Sequence, residues 1–474
     1  MGLLQNSVYE FEKWQAQFDE SYQAYLDISA KKPLFVFDKI ISPLQETMPA
    51  MKKAVDSALP LMKFLPAFSG YPQEKTYLIL LQNNREMRPS GGFIGTYGII
   101  TIKDAEIKNL FLDNSYNLDV LVEKTQKIEP PEPIKKYLGI GYWFFRDSNW
   151  SPDFSASAKQ ALEFYKLESK NTAQIDGVIA LTPTVVENLL GTLGTFQVDD
   201  LNFDKKNFWE QLQYQVEYGY YKQGIKASDR KDIIGVLAKQ MIEKVYSLPA
   251  NDWLKILAIL NDSLKEKQLV LYFADPAYEE QAASRNWGGL ISAFDGDYLM
   301  LNDANLAALK TDSVMSRTLN YKLEKKGDEY IATATASYQN LGDFSWATTR
   351  YRSYSRLYVP ACSRLLSVMV AGRSVELKDI DVNRELGKAS FGVYFEVEPK
   401  TTQMVQWQYV LPLKVAQQIV ENKYSLQVQK QIGLPKLNLQ LDLNFGKKVV
   451  GTNKTGVKHF EEIKIDQIYS VWLE

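Results

Sequence analysis

The spacing of hydrophobic residues changes twice along this chain, and these changes constrain its fold more than any other feature. Up to about residue 65, apolar residues such as Trp14 and Phe18 recur about every 3.6 positions, which is typical of helices. From about residue 75 to residue 312, strand-like runs alternate with helical patterns. From Arg317 onward, runs of residues alternate with a period of two or are rich in β-branched and aromatic residues, and turn signals separate them, which is typical of strands. The sequence therefore predicts three regions of different architecture.

The predicted fold class is α/β, a mixed sheet with flanking helices, with a further segment at each end. We expect residues 1–72 to form an N-terminal helical segment and residues 73–312 to form the α/β domain. We expect residues 317–474 to form a C-terminal antiparallel β-sandwich, immunoglobulin-like in shape. The middle pattern is clearest where the strand-like run 176–181 meets Thr182 and Pro183, which favour a helix start.

Composition excludes several classes of function. The net charge is -2, from 55 basic and 57 acidic residues, which argues against a nucleic-acid partner. One cysteine, Cys362, and one histidine, His459, exclude disulfide frameworks within the chain and zinc sites built from several thiolates or imidazoles. Any catalysis would therefore use carboxylates, Arg, Lys, Tyr or a hard cation held by oxygen ligands.

The stretch 79–98, ILLQNNREMRPSGGFIGTYG, is the most informative motif. An apolar run leads into polar residues with Arg85 and Arg88, then into Gly91–Gly92 and a second β-rich run. We predict a loop at the end of a buried strand, where α/β proteins place their ligand clefts. Its glycines let backbone approach a ligand, and its arginines suit phosphate or carboxylate groups. An ordinary turn between two strands is the alternative, and the loop alone favours it.

The distribution of arginine strengthens the ligand hypothesis. Only five of the 12 arginines lie before residue 300, and lysine dominates there, so each of these arginines is a selective choice. We predict that Arg85, Arg146 and Arg230 converge on one cleft and bind a di-anion. The alternative is that each arginine pairs with a nearby carboxylate: Arg85 with Glu86, Arg146 with Asp147, and Arg230 with Asp232.

The segment that follows Arg146 adds two further carboxylates. Asp147 and Asp153 could hold a hard cation such as Mg²⁺. Helix capping and packing are the commoner roles for such residues, and that alternative stays open.

Several motifs together resemble a bacterial envelope family catalogued as a domain of unknown function (DUF4012-type). They are LLQNNREMRPSGGFIGTYG, RDSNWSPDF, IDGVIALTP, NDANLAALKTD and QVQKQIG, and they span most of the chain, from about Tyr77 to Gly433. In that family a membrane anchor usually precedes the helices. The resemblance therefore implies an extracytoplasmic protein, attached to the membrane through a segment that this sequence lacks.

The α/β part is more distantly similar to LytR–CpsA–Psr ligases, which transfer glycopolymers from polyprenyl pyrophosphate carriers to the cell wall. With the arginines considered above, this resemblance implies ligand-binding residues at Asn84, Arg85, Arg88, Arg146, Arg230 and Gln240. It also implies Asp147 and Asp229 as catalytic carboxylates, with Mg²⁺ on Asp147 and Asp153. The ligases carry a metal-binding aspartate where this chain has Gly91–Gly92, which leaves the transfer chemistry open.

Two functional hypotheses follow. In the first, a cell-envelope protein binds a pyrophosphate-linked lipid or glycopolymer and, if it is an enzyme, transfers glycan to the cell wall. Its partners would be an anionic lipid-linked glycan or cell-wall polymer, and not nucleic acid. In the second, a non-catalytic surface scaffold or adhesion-type protein binds a protein or polysaccharide through the β-sandwich.

Overall fold

The chain begins with two helices that pack against each other, as the sequence predicted. The computed structural model describes residues 2–30, 44–454 and 456–474. Helix α1 spans Gly2–Ala30 and helix α2 spans Leu44–Phe68. Lys52 and Lys63 of α2 form ion pairs with Asp19 and Glu12 of α1.

A mixed five-stranded sheet forms the middle of the chain, which confirms the predicted α/β class. Its strands are β1 (Lys75–Arg88), β2 (Gly91–Lys103), β3 (Glu106–Asn114), β4 (Gly177–Leu181) and, after a short hairpin of β5 (Phe196–Val198) and β6 (Leu201–Phe203), β7 (Leu269–Phe273). The spatial order is β3-β2-β1-β4-β7. Strands β1 and β4 are parallel, and the other neighbours are antiparallel.

Helices cover both faces of this sheet because successive side chains of β1 point to opposite sides. Leu78 and Leu80 pack in one core with Phe164, whereas Tyr77 packs in a second core with Phe64 of α2. The remaining helices of this region are α3 (Ser115–Asp119), α4 (Glu132–Leu138), α5 (Phe154–Ser169), α6 (Pro183–Leu193), α7 (Phe208–Tyr214), α8 (Tyr220–Lys222), α9 (Asp232–Tyr246), α10 (Ala250–Lys265) and α11 (Pro276–Ser284). A π-helical turn, Gln215–Gly219, joins α7 to α8.

The stretch predicted as a ligand loop is instead a tight hairpin between two long strands. β1 continues to Arg88, and its pairing with β2 shifts register after Leu81 and again between Asn83 and Met87. These irregularities keep the segment 84–86 out of the ladder, and such bulges redirect side chains. A Cβ atom at Gly92 would clash with the backbone of Asn83, so the close approach of the two strands requires glycine there.

The C-terminal region consists of two seven-stranded sheets that share one hydrophobic core. Their strands are β8 (Asp297–Asn305), β9 (Met315–Lys326), β10 (Glu329–Asn340), β11 (Tyr351–Pro360), β12 (Arg364–Val370), β13 (Arg373–Ser374), β14 (Asp381–Glu385), β15 (Lys388–Val397), β16 (Thr402–Val410), β17 (Lys423–Val428), β18 (Leu437–Asn444), β19 (Val449–Thr452), β20 (Lys458–Ile463) and β21 (Gln467–Leu473), with helix α12 (Leu413–Val420) before β17.

The two sheets are not purely antiparallel, which corrects the expected sandwich. One sheet has the order β13-β12-β16-β10-β9-β18-β20 and contains the parallel pair β9 and β18. The other has the order β14-β15-β11-β8-β17-β21-β19 and contains the parallel pair β8 and β17. In both pairs a late strand, β17 or β18, runs parallel to one of the first two strands of this region, β8 or β9.

Strand β8 lies before residue 317, where the sequence placed the start of the sandwich. It is the central strand of its sheet, and every one of its residues is buried. Asp312, the last residue of the predicted α/β domain, also contributes to the interior of the sandwich, because it forms an ion pair with the buried Arg317. The sandwich thus uses residues on both sides of the predicted division, whereas the division into separate folding units stays a prediction.

Candidate functional site

A largely apolar cavity of about 430 Å³ lies at the carboxyl end of the parallel pairing between β1 and β4. Leu81 and Leu181, the residues at which the parallel pairing of these strands ends, line it. Apolar side chains from other elements complete the wall, among them Phe93, Tyr116, Trp209, Leu212, Val216 and Ile234. The cavity therefore occupies the place where α/β folds bind their ligands, as the sequence analysis expected of a cleft.

Five charged side chains also line this cavity. Glu217 pairs with Arg230 at 3.4 Å and with Lys310 at 3.1 Å. Lys231 donates hydrogen bonds to the Asn114 side-chain oxygen, at 2.9 Å, and to the carbonyl of Gly95. Glu86, from the bulge in β1, is the fifth charged residue of the wall.

Burial changes the ionisation of two of these groups. Burial, together with the neighbouring Arg230 charge, lowers the pKa of Lys231 to about 7. Burial also raises the pKa of Glu86, although Arg88 opposes that shift. A bound anion would favour the protonated form of Lys231, and the upward shift of the Glu86 pKa reduces the repulsion between that carboxyl group and an anion. The charged part of the wall is therefore suited to an anionic group.

Arg230 is the only one of the four predicted arginines that lines the cavity. Arg85 pairs with Glu187 at 3.0 Å and stacks on Trp209, a residue of the cavity wall, from 5.5 Å. Its predicted partner, Glu86, instead faces Arg88. Arg230 pairs with Glu217 and not with the expected Asp232.

Arg146 and Arg88 share the buried carboxylate of Asp147. Arg146 contacts Asp119 at 2.5 Å and Asp147 at 3.5 Å, so its predicted pairing with Asp147 is confirmed but is the longer of the two. Arg88 is buried, approaches Asp147 at 3.4 Å and donates to the carbonyl of Asn305 at 2.7 Å. The alternative of separate carboxylate pairs therefore describes the arginines better than convergence does, although most of the partners are distant in sequence.

Two predicted ligand-binding amides bond to the protein itself. Asn84 is buried, and its amide donates to Thr184, Gln268 and the carbonyl of Gly433. Its amide nitrogen thus links the central sheet to the C-terminal region. Gln240 donates to the carbonyl of Gln197 and lies outside the cavity wall.

The carboxylates expected to hold Mg²⁺ are occupied by protein donors. Asp147 faces two arginines, and Asp153 caps helix α5 through Ala156 and accepts a second bond from the backbone of Ile291. Asp229, the other predicted catalytic carboxylate, bonds to Ser228 away from the cavity wall. In the described parts of the chain no three His, Cys, Asp or Glu side chains are grouped as a metal site. Asp147 and Asp153 therefore do not fit a cation site in this arrangement.

A buried carboxyl pair supports Arg146. Glu168 is fully buried on α5, and its Oε1 accepts the backbone N–H of Phe145 at 2.9 Å. Burial, together with the nearby charge of Asp119, raises the pKa of Glu168 to about 9. Glu168 is therefore protonated at neutral pH. Burial also raises the pKa of Asp119, and the charge of Arg146 opposes that shift.

We expect Glu168→Gln to stabilise the protein progressively as the pH rises. Because the folded pKa is raised, the wild-type group contributes its full stability below the ordinary value of 4.5 and loses it as the pH rises toward 9. A neutral glutamine avoids this loss and keeps the acceptor for Phe145. Urea unfolding gives the difference in free energy of unfolding between the variant and the wild type. This difference should favour the variant by roughly 1–3 kcal/mol more at pH 8 than at pH 5. Glu163→Gln, on the exposed side of α5, is the matched control, and identical pH profiles for the wild type and Glu168→Gln would contradict the assignment.

Sequence reasoning missed most of the cavity. Lys231 could have been noticed as the neighbour of Arg230, within a helix start. Glu217, Trp209 and Lys310 carry no local signal, because long-range packing alone brings them to β1 and β4. Glu86 was considered only as a partner of Arg85.

Comparison with known proteins gives one family match. Residues 72–217 match the family described as "Protein of unknown function (DUF4012)". The matched segment is under a third of the chain and extends from β1 into the π-helical turn. The similarity to LytR–CpsA–Psr ligases stays a prediction from motifs. No curated protein matches the chain.

Similarity to solved structures is weak. A Legionella pneumophila protein provisionally described as nutrient-binding has a TM-score of 0.21 and 7% identity, over 38% of this chain and 67% of that one. LTA4 hydrolase of yeast has a TM-score of 0.19 and 10% identity, over 34% and 29%. Aminopeptidase A of Legionella pneumophila has a TM-score of 0.15 and 9% identity, over 34% and 19%. The chain thus spans less than a third of the hydrolase and of the aminopeptidase, and such scores carry no conclusion about fold or activity.

Proposed function

We propose that this protein binds an anionic, lipid-linked molecule of the pyrophosphate-linked glycopolymer class at the cell envelope. The observation that carries the proposal is an apolar cavity whose wall includes Arg230, Lys231 and Lys310. In this arrangement the hydrocarbon part of the ligand contacts the apolar wall, and its phosphates contact the three cations. Charge-assisted hydrogen bonds from such donors are the strongest available to phosphate.

The dimensions and charge of the cavity support a ligand of this kind. A volume of about 430 Å³ lies within the range of roughly 300–1,000 Å³ that is usual for small-molecule sites. Glu217 holds Arg230 and Lys310 in place, so the cationic groups are positioned before a ligand arrives. An anion then gains electrostatic energy without much ordering of side chains.

The residues of the cavity support ligand binding. They do not by themselves support the transfer of glycan, which would need a further step. Asp147 and Asp229 lie outside the cavity wall, and neither is within the group that would contact the phosphates. We therefore assign no catalytic residue. The extracytoplasmic location rests on the family resemblance of the motifs. In the described residues no helix has both the length and the hydrophobicity needed to cross a membrane.

Arg230→Ala is expected to weaken binding of farnesyl pyrophosphate, a short polyprenyl pyrophosphate, by about 1.5–3 kcal/mol. This corresponds to roughly a tenfold to 150-fold increase in Kd. Isothermal titration calorimetry measures it directly. Arg285→Ala is the control, because Arg285 is also in the α/β region but stacks on Trp287 outside the cavity wall. Equal affinities of the wild type and Arg230→Ala would show that Arg230 does not contribute to ligand binding.

The alternative function is a non-catalytic scaffold that binds a protein or polysaccharide through the β-sandwich. It requires no ligand in the cavity. Loss of polymer binding after substitutions on the sandwich surface, with no affinity for farnesyl pyrophosphate, would favour this alternative.

A further inference from the structure

An exposed aromatic patch lies on the outer side of the helical wall of the cavity. Tyr214, Tyr218 and Tyr221 are spaced along one face of the segment 208–222, and each is at least 42% exposed. Leu212 and Val216 of the same segment line the cavity, and each lies two positions before one of these tyrosines. One short helical segment therefore presents an apolar face to the cavity and an aromatic face to solvent.

A loop of the sandwich extends this patch. Trp346 contacts Tyr218 and Tyr214, with ring centroids 5.3 Å and 6.5 Å away. In the same loop Phe344 is 68% exposed, and Leu341 is also exposed. We call these six residues (Tyr214, Tyr218, Tyr221, Leu341, Phe344 and Trp346) the aromatic patch. Tyr214, Tyr218 and Trp346 contact one another, and a large group of exposed apolar side chains marks an interaction surface.

We propose that the aromatic patch docks the protein on the surface of an anionic lipid bilayer, beside the cavity that receives the lipid. Tyrosine and tryptophan combine an apolar body with a polar edge, which suits them to the boundary between lipid and water. Phe344 and Leu341 supply wholly apolar groups for insertion below the headgroups. The inference rests on the proposed function, because docking brings the cavity to its lipid ligand. Binding to vesicles can nevertheless be measured separately from ligand binding.

The charges around the patch favour an anionic membrane surface. Lys222 donates to the Tyr214 hydroxyl at 2.8 Å, and the exposed Lys226 follows in the chain. The one acidic residue in the loop segment 341–346, Asp343, is paired with Lys400 at 2.9 Å. Lysines beside an inserted apolar group can reach lipid phosphates.

The geometry argues against a sugar platform on this surface. The ring plane of Trp346 makes an angle of 82° with that of Tyr218 and 76° with that of Tyr214. These rings therefore do not share one plane on which a flat sugar face could stack, whereas insertion among lipid headgroups needs no common plane.

The patch and the cavity are connected through a few direct contacts. The backbone N–H of Lys310 donates to the carbonyl of Ala347, next to Trp346, at 2.9 Å. Lys310 also lines the cavity and pairs with Glu217, which precedes Tyr218. Docking through the patch would therefore bring the helical wall of the cavity to the bilayer surface, where the ligand resides.

The test is co-sedimentation with phosphatidylcholine vesicles that contain a minor share of phosphatidylglycerol. We expect the wild type to bind and the double variant Phe344→Ser, Trp346→Ser to bind roughly tenfold or more weakly, because two apolar side chains no longer enter the interface. The matched control is Phe460→Ser, Trp472→Ser. It removes the same residue types at similar exposure, 64% and 45%, on strands β20 and β21, and should bind like the wild type.

Farnesyl pyrophosphate titration of the patch variant separates this inference from the proposed function. Retained affinity for this soluble ligand, with lost vesicle binding, supports docking through the patch. No vesicle binding by the wild type, or equal losses in the patch and control variants, would overturn the inference while leaving the cavity proposal intact. The inference would also fail if the patch variant lost binding to purified peptidoglycan in place of vesicles, or if it converted a wild-type dimer to a monomer.

Discussion

Arg317→Ala is expected to lower the free energy of unfolding by about 3–5 kcal/mol, the range for removing one partner from a buried ion pair. Arg317 lies in the sandwich core, where it contacts Asp303 at 2.8 Å and also pairs with Asp312. Its removal leaves two buried carboxylates without their counter-charge. The backbone N–H of Met87 also donates to Asp312, so the loss should extend to the hairpin of the central sheet.

Urea denaturation followed by circular dichroism measures this change, and Arg364→Ala is the matched control. Arg364 forms an ion pair with Glu329 at 2.8 Å, but both side chains are more than half exposed. Exposed pairs of this kind contribute about 0–1 kcal/mol. If the two variants lost similar amounts of stability, the buried network would not be important for the sandwich.

Val216→Trp is expected to weaken the binding of farnesyl pyrophosphate by roughly a hundredfold or more, because the indole occupies space that the ligand's tail requires. Val216 is buried in the π-helical turn and lines the cavity. Since the cavity can accept the larger ring, we expect the cost in stability to stay within the roughly 1–3 kcal/mol typical of overpacking.

The control is Val236→Trp, on the exposed side of α9 and outside the cavity wall. It adds the same volume and should leave binding unchanged. Calorimetric titration of both variants, with thermal unfolding to confirm that each is folded, completes the comparison. Undiminished binding by the folded Val216→Trp variant would place the ligand elsewhere.

Much of the architecture could be predicted because it follows local patterns. The apolar run that ends at Leu81 and the strand followed by Thr182–Pro183 identified two strands of the central sheet, and the structure pairs these strands in parallel. Strand β8 was missed because it reads DYLMLNDAN, a mixture of apolar and amide or acidic residues. All of these are buried: Asp297 accepts a hydrogen bond from Tyr424, and Asp303 accepts hydrogen bonds from Ser355 and Arg317. Asn305 instead accepts from the backbone of the nearby Ala308.

The site was harder to predict than the fold for the same physical reason. The carboxylates that neutralise Arg85 and Arg146 most closely are Glu187 and Asp119, which are 102 and 27 residues away in sequence. Proximity in the sequence favoured Glu86 and Asp147 as the partners of these arginines. A local sequence pattern does not indicate a partner that is distant in the chain. The location of the cavity could be expected from the ends of the parallel strands, but most of its charged wall, including Lys310, comes from packing between separate regions.

One measurement tests the central claim most directly: calorimetric titration of the wild-type chain with farnesyl pyrophosphate, farnesol and inorganic pyrophosphate. If the apolar wall holds the tail and Arg230, Lys231 and Lys310 hold the phosphates, farnesyl pyrophosphate should bind at least about tenfold more tightly than either half-ligand. Inorganic pyrophosphate binding as tightly as the full molecule would contradict a lipid site. The absence of binding by all three would contradict the proposed function altogether.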